Sequence, residues 1–282
     1  MDLHSGLPYW IIRNSLWDYF HPLEKDLSTD VVIVGSGITG ALMAHELCHA
    51  GIKCCIVDKR SIATGSSAAS TALLQYEIDV PLCRMAKIIG EENAATAYHA
   101  CLQSISDIKR VLEETGVNAG FEQLPSLFYA SSAADNKLLE QEHEIRQKHK
   151  LPVNLLEKKK IREEYKVKTP GNALINEASA QMDAYRAATG LLAYHIKESG
   201  LKVFTHTSIK ECIETSDGCI MTTDRGHKIK CGYVIIATGF EAGQFLPQKI
   251  MDLTSTYALV SHPVASEHLW PTHCLIWETA DP

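Results

Sequence analysis

The feature that most constrains this chain is a short glycine-rich turn, Gly35-Ser36-Gly37-Ile38-Thr39-Gly40, set between two stretches of different hydrophobic period. Before it runs Val31-Val32-Ile33-Val34, a continuous apolar run suited to a buried strand. After it, Ile38 to Ala50 carries apolar residues at helical spacing and stops at Gly51. A second β-prone run, Lys53 to Val57, ends at Asp58. A β-α-β unit with this turn is built to hold a dinucleotide. The first glycine permits the tight turn, the second lets backbone approach a pyrophosphate, and the third lets helix and strand pack closely. The helix N-terminus adds amide donors and the positive end of its dipole. Asp58 is then placed to accept hydrogen bonds from an adenosine ribose. The plainer alternative is a tight strand-to-helix turn with no ligand.

FAD and NAD both fit this fingerprint, so the choice between them rests on later segments. Gly65-Ser66-Ser67-Ala68-Ala69-Ser70-Thr71-Ala72-Leu73-Leu74 is a run of small and hydroxyl-bearing residues, suited to backbone passing close to a flavin diphosphate and ring. Further on, Tyr233-Val234-Ile235-Ile236-Ala237 is apolar throughout, as in a parallel strand buried on both faces, and it leads into Thr238-Gly239. Leu201 to Lys230, with turn signals at Ser216-Asp217-Gly218 and Arg225-Gly226, predicts a small antiparallel meander before that strand. Helical spacing predicts helices over Met85 to Thr115, Ala133 to Lys150 and Ala184 to Ser199. Lys158-Lys159-Lys160 is most simply a solvated helix face.

In the order and spacing of these segments, the chain resembles the FAD-dependent oxidoreductases of the D-amino-acid oxidase family, which includes glycine oxidase and sarcosine oxidase. The resemblance runs from about Thr29 to the C-terminus. It is carried by GSGITG with Asp58, by GSSAASTALL, by the stretch from Met182 to Ile209 and by the VIIATG strand. It implies an α/β fold: an FAD/NAD(P)-binding, Rossmann-like, doubly wound domain with an interleaved α+β substrate domain. The expected boundaries are 28–85 and 181–246 for the FAD-binding domain, 86–180 and 247–282 for the substrate domain, and 1–27 for an N-terminal arm.

Carried over position by position, the resemblance implies a flavin site formed by the turn glycines Gly35, Gly37 and Gly40, with Ile38 and Thr39 offering amides to the pyrophosphate. Asp58 takes the ribose hydroxyls with Lys59 beside it, and Ser66 and Ser67 lie along the diphosphate. Thr71, Ala72 and Leu73 approach the flavin ring, Ile209 pairs with the adenine edge, and Gly239 follows the buried strand. Ser66 and Ser67 could instead cap the following helix, and Ile209 would suit any core. Many amine-oxidising members read G-A-S-G-R-N-x-G in the flavin segment, where this chain has Ala69, Ser70 and Ala72. Ile276 to Pro282 reads as the middle of a substrate-domain strand, so the sequence matches the N-terminal three-quarters of such an enzyme.

The implied activity is oxidation of an amine or amino acid by hydride transfer to FAD. The alternatives are a flavin dehydrogenase of a hydroxylated substrate, of the glycerol 3-phosphate or 2-hydroxy acid type, and a non-catalytic flavin-binding module. Hydride transfer of this kind needs no dedicated base, and no catalytic residue or metal ligand is nominated. His99, His195 and His206 read as structural or solvated histidines, and Tyr257 and Trp277 as either substrate contacts or core.

Composition narrows the partners. The 27 basic against 34 acidic residues leave a net charge of −7, without the basic excess that binding a phosphate backbone requires. Nine cysteines without a C-x-x-C pair point to a reduced compartment and to packing roles. No secretory signal or membrane span is visible, so the expectation is a cytoplasmic protein acting on a small molecule. Tyr9, Trp10, Trp17, Tyr19 and Phe20 are expected to pack the N-terminal arm onto the domain.

Overall fold

The computed structural model describes residues 4–17, 19–246, 248–249, 252–269 and 271–280. In chain order its first elements are α1 (Tyr9–Asn14), β1 (Leu27–Val34), α2 (Ile38–His49), β2 (Cys54–Val57), α3 (Ser66–Ala69), β3 (Leu73–Leu74), α4 (Leu82–Ile89) and α5 (Glu91–Thr115). There follow β4 (Glu122–Tyr129), α6 (Asn136–Lys148), β5 (Asn154–Leu156), α7 (Lys158–Lys160), β6 (Ala173–Gln181) and α8 (Ala184–Glu198). The last are β7 (Lys202–Phe204), β8 (Ile209–Thr215), β9 (Gly218–Thr223), β10 (Lys228–Ile236) and β11 (Leu275–Glu278). The chain divides into two compact units, one of Met1–Ala72, Leu112–Ala119 and Asp183–Leu259, the other of Leu73–Val111, Gly120–Met182 and Val260–Pro282.

The first unit is built on a six-stranded sheet in the order β7-β2-β1-β10-β9-β8. The first four strands are parallel, and β8 and β9 form the expected antiparallel meander with β10. β7, inside the stretch from Leu201 to Lys230 expected to be meander, instead pairs parallel to β2 at the other edge. Val32, Ile33 and Ile56 are fully buried, because apolar runs in adjacent parallel strands lie between layers. Small residues on α2, Gly40, Ala41 and Ala44, face inward and let the helix sit close to the sheet. α8 buries Ala187, Ala188, Leu191 and Leu192, and packs beside α2.

β10 departs from the expectation of burial on both faces. Val234 and Ile236 join the core of Val32, Val34, Cys55 and Val57, but Tyr233 is 74% exposed. The reason is helix placement: α2 packs on β1 and β2 and against α8. The arm is tied down by polar contacts as well as aromatics. Trp10 Nε1 donates to Ser70 O, Asn14 Nδ2 to Asp183 Oδ2, and the Trp17 amide to the Tyr185 hydroxyl, while Tyr19 stays 68% exposed.

The second unit carries a sheet in the order β11-β4-β6-β3, with β5 on β6. The helix expected over Met85 to Thr115 is two helices, because Gly90 takes φ +86°, a left-handed conformation that ends α4. Lys158 to Lys160 lie exposed on one short turn, as expected. Inside the unit, Arg146 is fully buried on α6. Its Nε donates to Glu142 Oε1 at 2.6 Å and its Nη1 to Glu77 Oε1 at 3.1 Å, and the rings of Tyr76 and Tyr98 flank it. Glu142 also accepts the amides of Leu82 and Cys83, which fixes the start of α4. No helix among the described residues is long and apolar enough to cross a membrane.

Candidate dinucleotide site

Three parallel strands end at one level of the first unit. Gly35 N donates to Val57 O and Ala237 N to Val34 O, both at 2.8 Å, so the turns after β2, β1 and β10 adjoin. The glycines between β1 and α2 are required by space as well as by conformation. Gly35 has φ +110°, and a Cβ there would stand 2.4 Å from Ala237 O; a Cβ on Gly40 would stand 2.0 Å from Gly35 O. At Gly37 a Cβ would meet Ser67 Oγ at 2.9 Å. Gly37 is also the residue before α2, with no side chain to cap the first-turn amides.

Ser67 takes part of that role from the neighbouring turn. Its Oγ accepts the Ile38 amide at 2.9 Å, so Ser67 caps α2 rather than its own short helix α3. Thr39, the next amide in the turn, lies on the exposed side. Ser66 Oγ and Thr238 Oγ1 are buried without a hydrogen-bond partner. Gly239 follows Thr238 at φ +57°, and a Cβ on it would come within 3.8 Å of Ser66 Oγ. Unpartnered buried hydroxyls are costly, and here they flank the N-terminus of α2, whose dipole end suits phosphate oxygens. The residues therefore fit a dinucleotide diphosphate.

Asp58, half-buried at the end of β2, is held by three donors. Oδ2 accepts the Ser36 amide at 2.7 Å and the Ser36 hydroxyl at 2.6 Å, and Oδ1 accepts the Arg60 amide at 2.8 Å. Ser36 Oγ in turn accepts the Ala63 amide at 3.3 Å. The carboxylate is thus oriented in advance and keeps acceptor capacity for a further donor such as a ribose hydroxyl. Lys59 does not stand free beside it. Its Nζ lies 2.6 Å from Glu241 Oε1, and Arg60 Nη1 lies 2.9 Å from Glu241 Oε2. Burial opposes ionisation of Glu241, but hydrogen bonds and charge from Arg60 and Lys59 outweigh it and bring the carboxyl down to about 2.

The other expected residues lie in three places. Thr71 and Ala72 follow α3, with Thr71 exposed and Ala72 buried at φ +55°. Leu73 opens β3 in the second unit, paired with Gln181 and 44% exposed. Ile209 begins β8 opposite Thr223, and its side chain packs on the sheet core. Trp277 stacks on Phe128 with ring centroids 3.8 Å apart and donates to Ser126 Oγ, whereas Tyr257 is 92% exposed. Glu91, Glu92 and His149 bring metal-type ligand atoms within 4.8 Å of one another, yet Lys148 Nζ already neutralises Glu91 at 2.6 Å.

Sequence reasoning passed over Ser36, Arg60, Thr238 and Glu241. Ser36 occupies a variable position of the glycine turn and Thr238 the middle of the Ala-Thr-Gly segment, so both lay inside motifs whose glycines drew the attention. For Glu241 no local signal exists: its partners are 181 and 182 residues away.

Comparison with known proteins places these features in context. The family model described as FAD dependent oxidoreductase matches residues 30–281. A Bacillus subtilis (strain 168) protein bearing the name of a Rieske 2Fe-2S iron-sulfur protein is 23% identical over 232 residues, 82% of this chain and 44% of that one. Among solved structures, glycine oxidase from Geobacillus kaustophilus superposes with a TM-score of 0.65 at 22% identity, covering 77% of this chain and 57% of that one. L-α-glycerophosphate oxidase from Mycoplasma pneumoniae, with FAD bound, gives a TM-score of 0.62 at 20% identity, covering 77% and 56%. The chain thus spans about half the length of these relatives.

Proposed function

Since the chain belongs to the family of FAD-dependent oxidoreductases, we propose that it is the FAD-binding part of an enzyme that oxidises an amine or amino acid. The observation that carries the cofactor assignment is the convergence of the glycine turn, the oriented Asp58 carboxylate and two unpartnered buried hydroxyls at the ends of three parallel strands. Bound there, FAD supplies the two-electron acceptor for a hydride leaving the carbon next to a neutral amine.

The chain's own residues bind and orient. Gly35, Gly37 and Gly40 shape the turn beneath the diphosphate, with the Thr39 amide facing it and the Ile38 amide held by Ser67 Oγ beside it. Ser66, Ser67 and Thr238 line its flank, and Gly239 closes the turn after β10. Asp58, with Lys59 and Arg60 following it, takes the adenosine ribose, and Ile209 supports the adenine edge. Thr71, Ala72 and Leu73 lead the chain toward the flavin ring. The amine assignment is supported by the likeness to glycine oxidase, and the proposed organisation is an FAD-binding domain interleaved with a substrate domain.

A second reading, favoured by the likeness to a glycerophosphate oxidase, is oxidation of a hydroxylated substrate. The similarity to a protein named for an iron-sulfur centre supports an acceptor other than oxygen for the electrons.

The test is the visible spectrum of the purified chain and of the released ligand, followed by anaerobic mixing with panels of amines, amino acids, 2-hydroxy acids and glycerol 3-phosphate. The mixing is run on this chain and on the chain extended to the length of its relatives. Released FAD, bleached by an amine or amino acid, is the expected result. Bleaching by glycerol 3-phosphate or a 2-hydroxy acid alone would replace the substrate assignment with the second reading, and a protein that takes up no FAD at either length would overturn both.

A further inference from the structure

β2 and β10 are the two immediate neighbours of β1, and their outgoing turns stand on either side of the glycine turn. Those two turns are joined to each other. Glu241, in the 3-10 turn Gly239–Phe245 after β10, binds Lys59 Nζ and both terminal nitrogens of Arg60 after β2, at 2.6 to 3.2 Å. The acid is 5% exposed, while its cationic partners are 38% and 28% exposed. A carboxylate withdrawn from water beside two cations, one of them Arg binding through a fork, is strongly localised. The chain of contacts then closes on itself. Arg60 donates its amide to Asp58, Asp58 accepts from Ser36 of the glycine turn, and Ala237, just before Glu241's turn, donates to Val34 at the end of β1.

We propose that Glu241 is a positioning residue that gates the dinucleotide site: by clamping Lys59 and Arg60 it ties the turns after β2 and β10 into one rim around the glycine turn. The gate slows cofactor traffic in both directions. It holds the rim closed over a bound dinucleotide. It also places a negative charge on two cations that would otherwise attract an incoming diphosphate. This proposal rests on the FAD assignment above and adds to it a residue whose side chain binds the turn after β2.

The test is the isosteric variant Glu241→Gln, compared with the unmodified chain for FAD association and dissociation by flavin fluorescence. Loss of the charged clamp is expected to speed dissociation about tenfold, in line with hydrogen bonds to charged groups. Association should also quicken, because removing the Glu241 charge leaves the local field at Lys59 and Arg60 more positive toward an anionic ligand. A residue with a merely structural role would not speed association when replaced. Hydrogen exchange without FAD supplies a second readout, in which amides 58–66 and 238–245 exchange faster in the variant and those of the second unit do not. Glu241→Asp, which keeps the charge on a shorter arm, should fall between.

Dissociation at the unmodified rate, slower association, or unchanged exchange in both turns would overturn the gate while leaving the FAD assignment standing. Failure of the unmodified chain and of its extended form to take up FAD would remove both.

Discussion

At Gly40, one hydrogen atom in place of a methyl group decides whether α2 can start where it does. The added Cβ would lie 2.0 Å from a backbone oxygen that has no soft side chain to give way, and Gly35 meets Ala237 O almost as closely. Gly40→Ala is therefore expected to cost at least the ~1–3 kcal/mol of ordinary overpacking and to abolish FAD uptake. Gly243→Ala meets nothing within 4 Å and should change neither, which thermal melts and a flavin titration of the pair would check. Arg146 poses the opposite problem, a charge held in the interior by Glu142 and Glu77. Arg146→Ala strands two buried carboxylates, and urea unfolding should register a loss of about 3–5 kcal/mol. Within the same pair, burial pushes the Glu77 carboxyl upward and the Arg146 charge pulls it back.

Between elements, the contact of α2 with α8 contains a buried histidine pair. His45 Nδ1 lies 3.0 Å from His195 Nε2, and His195 Nδ1 lies 3.0 Å from Ser199 Oγ, with His49 and Tyr194 as the neighbouring rings. Burial, then the nearby His45 and His49, hold the His195 imidazole below its ordinary value of 6.5. It is uncharged in the fold and takes its proton more readily when unfolded. Its contribution is thus complete above pH 6.5 and is withdrawn as the pH falls below it. The melting temperature should drop between pH 7.5 and pH 5.5, and His195→Gln should flatten that drop; an equal slope in the two proteins would refute the assignment.

How much of the elements and the site could be read in advance follows from distance along the chain. The unit from Val31 to Asp58 was legible because strand, turn, helix and strand each carry a local period or a glycine that only one geometry explains. The division of α4 from α5 at Gly90 was not, since the apolar spacing runs on through it and a single glycine is compatible with either outcome. Nor was the exposure of Tyr233, because an apolar run announces a strand without saying which face a helix will cover. Arg146 falls in the helix predicted over Ala133 to Lys150, where nothing local distinguishes it from the other charged positions. Glu77 and the rings of Tyr76 and Tyr98, brought in from other segments, make it a core residue.

For the whole molecule, surface character is the legible property. With a net charge of −7 and a pI near 6.0, solubility should be lowest close to pH 6, where mutual repulsion vanishes. Tyr233 on β10, at 74% exposure, and Phe240 in the turn after it, at 57%, add exposed apolar surface. Tyr233→Ser is expected to raise the fraction that elutes as a single species in light-scattering chromatography without altering FAD uptake. An unchanged profile would acquit that surface.

The pairing of Val32 with Val234 and of Val34 with Ile236 also sets a timetable. Some 200 residues separate the partners, so a ribosome adding about 5–20 residues each second needs roughly 10–40 s to deliver the second after the first. Throughout that interval the newborn Val31–Val34 segment has no β10 to lie against, and the rim between Arg60 and Glu241 does not yet exist. Cofactor capture therefore waits until synthesis has passed β10 and Glu241, and the early β-α-β segment is the stretch a chaperone would have to shelter until then.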